Sequence, residues 1–374
     1  MELNKKVLFF IPELGNGGIE KVVITLGQRL KDIYDVYIYA EVQINPNFKG
    51  TRKNLTIIPT GSNPKVLKHK YFLQRALKFR SIIRKYRPDI IISAYPRVNA
   101  IAGLALKLSQ PKPKWILSDH GDPSLYLGEK GIRRWLKRSL LRRMTGEAQA
   151  CVAISNSVRV QMEEVYQCGQ VKVLANPLDL QGISVLAKEP VSHPWFSESI
   201  PIIISVGRLT KSKDFETLIK AFKLVLGALN ARLVILGDGS ERNHLVQLAK
   251  ELKLESKIWF AGYAPNPYKY VSRSTVFAFS STSEGQGMVL LEAMALNIPI
   301  VTTGFEGVND VISNQVSGLV VTVGDSNSLG NCLISLLESE GLRSELSGAA
   351  CLTLEKHSLD HASGQYIQLI EEIV

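Results

Sequence analysis

Short apolar runs alternate along this chain with stretches in which apolar residues recur every three or four positions. In the first half the runs fall at residues 7–11, 36–39, 55–58, 90–93, 115–118, 151–154 and 171–174. Their length and β-branched content predict strands. Residues 19–31, 71–86, 99–108, 133–144 and 157–166 carry the helical period between them. Strands that are apolar throughout, alternating with helices, predict a parallel sheet covered on both faces. The pattern breaks over residues 180–200, where Gly182, Pro190 and Pro194 interrupt mixed polar residues, and a linker is expected there. A second α/β series follows, with strands predicted at 202–206, 233–236, 258–261, 276–279, 300–302 and 319–321. Ile367, Ile370 and Ile373 give the tail a helical spacing.

A chain of 374 residues is long for a single core. The expected organisation is therefore two Rossmann-like, doubly wound domains facing each other across a cleft, over residues 1–179 and 180–359. Ligands of such sheets bind beyond the carboxyl ends of the strands, so the loops after strands are where chemistry is sought.

Charge is distributed unevenly. Residues 1–180 hold 30 Lys and Arg against 14 Asp and Glu, whereas residues 181–374 hold 15 against 20. Much of the excess lies in two segments without acids: 69–87, with Lys70, Arg75, Lys78, Arg80, Arg84, Lys85 and Arg87, and 130–143, with Lys130, Arg133, Arg134, Lys137, Arg138, Arg142 and Arg143. A basic half beside an acidic one implies that the first domain meets something anionic. Nucleic acid is disfavoured, because the basic segments lack regular aromatic interleaving and no nucleic-acid-binding motif is present. Cys151, Cys168, Cys332 and Cys351 follow neither metal-ligand spacing nor a disulfide framework, and are expected to be free thiols in a reducing compartment. Pro12 and Glu13 end the first apolar run well short of a signal-peptide core, and no run is long enough to span a bilayer, so a cytoplasmic protein is expected.

The densest chemical signal is SSTSEGQGMVLLEAMALNIP, residues 280–299, in which Glu284 and Glu292 bracket seven residues. A strand, a Gly-rich turn and a helix start point backbone N–H groups at an anion. Glu284 then sits in the loop and Glu292 about one turn inside the helix. Carboxylates accept pairs of hydrogen bonds from vicinal hydroxyls, which a sugar or a ribose offers. After the first strand, Gly15, Gly17 and Gly18 allow a tight turn and a close approach to a ligand. Glu20 stands where a dinucleotide fingerprint needs a third glycine, which argues against a nicotinamide enzyme. Arg208 and Lys213 follow the first strand of the second series and are placed to offset charge growing on a departing diphosphate. Gly237 lies in a further strand-end turn, LGDGS, and Asp119, His120 and Asp122 follow a strand of the first series. No metal-ligand cluster, Walker loop or nucleophile elbow is present in the sequence, so no metal or other cofactor is expected.

In order along the chain, GNGGIE, VAISNSV with VLANPLD, SVGRLTKSKDFETLIKAF, LGDGSERNHL, SSTSEGQGMVLLEAMA and GLVV resemble the retaining, nucleotide-sugar-dependent glycosyltransferases of GT-B fold, specifically the glycosyl transferase group 1 (GT4) members. The NPYKY segment and the GGIE loop look like bacterial enzymes that extend surface glycans on lipid carriers. The resemblance implies that Arg208 and Lys213 hold the donor diphosphate, Glu284 the transferred sugar and Glu292 the ribose. The amides of residues 286–288 (Gln286, Gly287, Met288), together with Gly285 and Gly237, would line the donor site. Gly15, Gly17 and Gly18 would shape the acceptor side, and His120 would contact the donor sugar. Gln286 replaces a commonly apolar residue, and Asn297 replaces a frequent helix-end glycine while still tolerating a left-handed conformation. The family also implies that the tail, residues 360–374, crosses back to the first domain.

The expected reaction moves a hexose or N-acetylhexosamine from a nucleotide-diphosphate sugar, with a UDP-sugar as the expected donor, with retention and without metal. The expected acceptor is a lipid-linked, lipopolysaccharide or capsule saccharide, and the basic first domain would dock peripherally on the anionic inner face of the plasma membrane. Within that reading Ile132, Trp135, Leu136 and Leu140 either insert beside the cations or face the core. A nucleotide-sugar epimerase on the same fold is the alternative enzyme, and a basic nucleic-acid-binding protein the alternative class.

Overall fold

The computed structural model describes residues 4–15, 17–43, 55–58, 71–128, 131–166 and 168–374, with nothing said of the Leu125 side chain. His69, Lys70 and Lys130 of the basic segments lie outside the described residues. The chain forms two compact units, Met1–Leu178 with His357–Val374, and Asp179–Lys356.

The first unit runs β1 (Lys6–Leu14), α1 (Gly18–Leu30), β2 (Asp35–Gln43), β3 (Leu55–Ile58), α2 (Phe72–Tyr86), β4 (Ile90–Ala94), α3 (Pro96–Lys107), β5 (Lys114–Asp119), α4 (Ser124–Leu127), α5 (Ile132–Thr145), β6 (Ala150–Ala153), α6 (Asn156–Val165) and β7 (Val171–Val173). Its described strands form one sheet of order β3-β2-β1-β4-β5-β6-β7. Every pairing is parallel, which requires a crossover between strands and gives helices to both faces. The two-residue period of β1 divides its side chains accordingly. Leu8 and Phe10 enter one core with Phe79 of α2 and Ile101 of α3, while Val7, Phe9 and Ile11 enter the other with Val23 and Leu26 of α1.

The second unit runs α7 (Leu180–Ala187), β8 (Ile202–Val206), α8 (Phe215–Ala228), β9 (Arg232–Leu236), α9 (Arg242–Glu251), β10 (Ile258–Gly262), α10 (Tyr268–Val271), β11 (Val276–Phe279), α11 (Met288–Ala295), β12 (Ile300–Thr303), β13 (Leu319–Val321), α12 (Ser326–Glu338) and α13 (Glu340–Leu352). Its sheet has the order β10-β9-β8-β11-β12-β13, again with parallel pairings. The chain then returns to the first unit as α14 (Leu359–Ile373). Exit and return are stitched together, since Leu178 N donates to His357 O at 2.8 Å. Tyr366, Leu369 and Ile370 of α14 complete the core under α1, and Lys172 pairs with Glu372 at the rim.

Two expectations are corrected. Residues 180–187, expected as linker, form α7, because Asp179 caps the helix by accepting from Gly182 N at 2.8 Å. Gly182 leaves room for the carboxylate in its present position, since a Cβ there would stand 2.2 Å from Asp179 Oδ2. Cys151 and Cys168, expected to be free, are joined in a disulfide with Cα atoms 6.3 Å apart, whereas Cys332 and Cys351 are free. The turn after α6 brings its cysteine beside β6, a proximity that a spacing of 17 residues does not reveal. The cysteines therefore no longer argue for a reducing compartment.

The surface of α5 settles the orientation of its apolar residues. Only Leu141 and Thr145 are buried; Ile132, Trp135, Leu136 and Leu140 are 75%, 58%, 54% and 55% exposed. Arg134 and Arg138 turn toward Glu164, while Arg133, Lys137 and Arg143 are exposed beside the apolar stripe. Leu73 and Leu77 of α2 are also exposed, next to Lys78. No described helix is long and apolar enough to cross a membrane.

Because α14 supplies part of the first unit's core, Leu369→Ala should cost about 3 kcal/mol, the usual scale for such a core cavity. An unchanged urea midpoint for the unit containing Trp115 would show that α14 is not part of that core.

Candidate active site

At the carboxyl end of the second sheet, three loops converge, after β8, β9 and β11. Hydroxyls of the loop after β11 grip the backbone of the turn before α8. Ser280 Oγ donates to Lys213 O at 2.9 Å and Thr282 N to Ser212 O at 2.8 Å, while Ser281 Oγ, whose one proton goes to Glu284, lies 2.9 Å from Ser212 O. Thr303 Oγ1, from the end of β12, donates in turn to Ser281 O at 2.6 Å. Asp214 takes a left-handed conformation, φ 45°, and caps α8, accepting from Thr217 N at 3.3 Å and Thr217 Oγ1 at 2.6 Å. These bonds fix the two segments that carry Lys213 and Glu284.

Those two side chains meet. The Lys213 ammonium is paired with Glu284 Oε1, which also accepts from Ser281 Oγ at 2.6 Å. Lys213 Nζ lies 5.2 Å from the centre of the Phe279 ring. Both partners are largely screened from solvent, with 18% and 15% of their side chains exposed, so their attraction is less damped by water than at the surface while each charge carries a desolvation cost. Among the described residues, Glu284 Oε2 has no protein partner and is available to accept from a hydroxyl.

Glu292 lies in the second turn of α11 and is 6% exposed. Its Oε1 accepts from Tyr268 OH at 2.9 Å, across a small cavity walled by Val206, Phe277 and Val289. Asn266 places Tyr268: its Oδ1 accepts from Tyr268 N at 3.1 Å while its Nδ2 donates to Leu186 O at 2.8 Å. Gln286 is buried, and Gly285 leads to Gly287. Gly287 has φ 70° and starts α11 ahead of Met288; a Cβ there would also crowd Leu290 and Phe305 at 3.2 Å. The far end of α11 turns at Asn297, φ 56°, so the left-handed conformation is kept without glycine.

Arg208 is exposed and forms no ion pair among the described residues. Gly237, φ 139°, supports its loop: a Cβ would fall 1.8 Å from Gly207 O, and Leu209 N donates to Asp238 O at 3.0 Å. Gly237 is thus a packing position between two loops.

In the first unit, Gly15 follows β1, Gly17 is the cap of α1 and Gly18 its first residue. A Cβ on Gly17 would stand 2.4 Å from Glu20 Oε2, so the buried Glu20 carboxylate lies against the positive end of α1. His120 follows β5, with Nε2 3.4 Å from Ser118 Oγ, and burial lowers its imidazole to about 4. Neighbouring Asp119 is fully buried and bonded by Tyr166 OH, and burial raises its carboxyl well above the usual range.

Ser281, Tyr268 and Thr303 carry this geometry without having been singled out as site residues in the sequence. The run of hydroxyls in SSTS and the Asn-Pro-Tyr of residues 266–268 were the available signals.

Comparison with known proteins agrees with this architecture. The description "Glycosyl transferases group 1" matches residues 193–351 and "Glycosyltransferase Family 4" matches residues 16–181. The lipopolysaccharide core biosynthesis glycosyltransferase LpsE of Rhizobium meliloti is 32% identical over 295 residues, 79% of each chain. A Campylobacter jejuni N-acetylgalactosamine-N,N'-diacetylbacillosaminyl-diphospho-undecaprenol 4-alpha-N-acetylgalactosaminyltransferase is 29% identical over 343 residues, covering 91% of this chain and 92% of that one. Among solved structures, Anabaena HepE in complex with UDP superposes with a TM-score of 0.79 at 16% identity, covering 98% of this chain and all of its own, and so shares the fold. The two sheets and the fold shared with that structure, together with the family matches, define a GT-B glycosyltransferase. The chain belongs to the group 1 glycosyltransferase family.

The neutral state of His120 has a measurable consequence. Between the ordinary value of 6.5 and about 4, the unfolded chain binds a proton that the folded chain refuses, so stability falls as pH falls through that window. His120 is half-buried, which limits the effect, and His120→Gln should recover about 1–2 kcal/mol relative to wild type at pH 4.5. Parallel stability-pH curves for the two proteins would show that His120 is not desolvated.

Proposed function

We propose that this enzyme transfers a hexose or N-acetylhexosamine from a nucleotide-diphosphate sugar, with UDP as the nucleotide, to a lipid-linked or lipopolysaccharide saccharide, retaining the anomeric configuration. The observation that carries this reading is the Lys213–Glu284–Ser281 cluster, with Oε2 of Glu284 open to a hydroxyl. A cation held beside a carboxylate suits a donor that is anionic at one end and rich in hydroxyls at the other. Lys213 and Arg208 would take the diphosphate, where negative charge grows as the anomeric bond breaks. Glu284 would hold the transferred sugar and Glu292, steadied by Tyr268, the ribose. The amides opening α11, around Gly285, Gln286, Gly287 and Met288, would add dipolar stabilisation. The reaction needs no metal on this reading. The acceptor oxygen bonds to the anomeric carbon as the bond to the diphosphate breaks, and the acceptor proton passes to the departing phosphate oxygen on the same face.

The acceptor class rests on the relatives, whose names specify a diphospho-undecaprenol acceptor and lipopolysaccharide core synthesis. The first unit, with Gly15, Gly17 and Gly18 after β1, would bind it. His120 would meet the donor sugar as a neutral imidazole, one nitrogen donating and the other accepting.

The exposed stripe of α5 would insert at an anionic membrane surface, with Arg133, Lys137 and Arg143 on the headgroups. Each cation near such a surface adds about 1 kcal/mol, so a few suffice for reversible attachment.

Glu284→Ala and Lys213→Ala should each reduce turnover of a UDP-sugar by at least about tenfold, or 1.4 kcal/mol of barrier, with circular dichroism unchanged. Full activity in both variants would refute the donor site. The protein should co-sediment with phosphatidylglycerol vesicles at low salt, and Leu136→Glu should weaken this severalfold. Failure of the wild-type protein to bind these vesicles would remove the membrane reading.

A further inference from the structure

Two arginines and one glutamate meet at the carboxyl end of the first sheet, and their charges do not balance. Glu41, near the end of β2, is almost fully enclosed. Arg75 of α2 takes both of its oxygens, Nε donating to Oε1 at 2.5 Å and Nη2 to Oε2. A bidentate pair of this kind is complete in itself. Arg97, the second residue of α3, comes up to the same carboxylate, but its Nη2 stops 3.6 Å from Oε2, too far for a hydrogen bond. Among the described residues, the Arg97 side chain has no other ion pair and no hydrogen bond. Only 28% of it reaches solvent, so it is largely withdrawn from water without having gained an acceptor.

The surroundings do not restore the balance. Arg97 lies in the first turn of α3, where the helix dipole is positive, and that turn holds no acidic residue. The carboxylates after β5 are engaged: Tyr166 OH bonds Asp119, and Asp122 accepts from Ser124 N at 2.7 Å and Ser124 Oγ at 2.8 Å. Burial raises the Asp119 carboxyl well above the usual range and keeps His120 neutral. The half-buried Tyr126 of α4 lies near both guanidiniums; its phenol, raised above the ordinary value mainly by burial, keeps its proton and can donate it. The strand order reverses between β1 and β4, and ligands of open parallel sheets bind beyond the carboxyl ends at such a switch point. Glu41 on β2 and Arg97 after β4 flank that point.

We propose that Arg97 binds a phosphoryl group of the acceptor, with Glu41 and Arg75 holding it in place and Tyr126 as a second donor. This rests on the reading of the first unit as the acceptor half of a glycosyltransferase. Two guanidiniums against one carboxylate leave a positive charge over, and a neutral saccharide would not compensate it. A phosphate or diphosphate does, and its oxygens match the planar fork of an arginine. Because Arg75 already saturates Glu41, the carboxylate steadies Arg97 without satisfying its donors. Two sources carry such a group: the diphosphate that joins a saccharide to a lipid carrier, and a phosphate substituent on the saccharide itself.

Titration calorimetry on the full chain tests this, with UDP present in saturating amount so that the donor site is filled first. The probes are geranyl diphosphate for the carrier linkage, glucose 6-phosphate for a phosphorylated sugar, and geraniol as the uncharged control. Wild type should bind at least one of the two phosphoryl compounds, and the tighter of them identifies the source. Arg97→Gln should weaken that binding at least about tenfold, the scale of a hydrogen bond to a charged group. Arg97→Lys, which keeps the charge but not the fork, should lose affinity severalfold even if the Gln variant fails to fold. Arg84→Gln, which removes an equal charge from the exposed face of α2, should bind as wild type. Failure of wild type to bind either phosphoryl compound, equal binding of geraniol, wild-type binding by both Arg97 variants, or an equal loss in Arg84→Gln would overturn the site. Weaker binding of UDP alone by Arg97→Gln would assign the arginine to the donor and overturn the proposal as well. Absence of nucleotide-sugar hydrolysis by wild type would instead overturn the transferase reading, and the calorimetric comparison would still decide on Arg97.

Discussion

Glu284 can serve a ligand only if its carboxylate is held in one place, and a single shared oxygen does this. Oε1 takes both the Lys213 ammonium and the Ser281 hydroxyl, which fixes the orientation of the carboxylate and leaves Oε2 without a partner among the described residues. Each partner is itself restrained. The loop beside Ser281 is tied to the backbone of Ser212 through Thr282 N, and the Ser281 carbonyl is held by Thr303. Lys213 sits on a turn whose carbonyl is gripped by Ser280 and which leads into the capped start of α8. The charged pair thus depends on a clasp of neutral hydrogen bonds between the loops after β8 and β11. In a site mostly screened from water, that arrangement spares the pair part of the reorganisation that a loose loop would require.

Support of the same kind recurs in the first unit. The network from Trp115 through Ser93 and Asn99 to Ser118 joins β4, α3 and β5 below their carboxyl ends. Asn99 also approaches Tyr166, which bonds Asp119, so the strand end carrying His120 and the strained corner at Tyr95 share one foundation. Buried hydrogen bonds of this kind leave each member few acceptable orientations, even though Asp119 Oδ1 has no hydrogen-bond partner among the described residues. Polar residues at these enclosed positions therefore serve placement above all.

The strands were legible because each is a short apolar run and parallel strands are buried on both faces. The Glu284 and Glu292 spacing marked a loop and a helix turn for the same local reason. Other features were hidden. Asp179 caps α7 through a neighbouring glycine, but the prolines downstream masked that helix as linker. Whether Trp135 and Leu136 face the core or solvent could not be read from their spacing, because a helical stripe looks the same in both cases.

Sequence alone determined the repeating strand and helix pattern, the two parallel sheets, the charge imbalance between the halves, and the candidate carboxylates and cations. These are properties of neighbours in the chain, set by side-chain period and backbone preference. Tertiary structure decided the rest, because it depends on residues far apart in sequence reaching the same point in space. It joined Lys213 to Glu284 across 71 positions, set Tyr268 on Glu292, bridged Cys151 to Cys168, and forced Tyr95 into a glycine-like conformation.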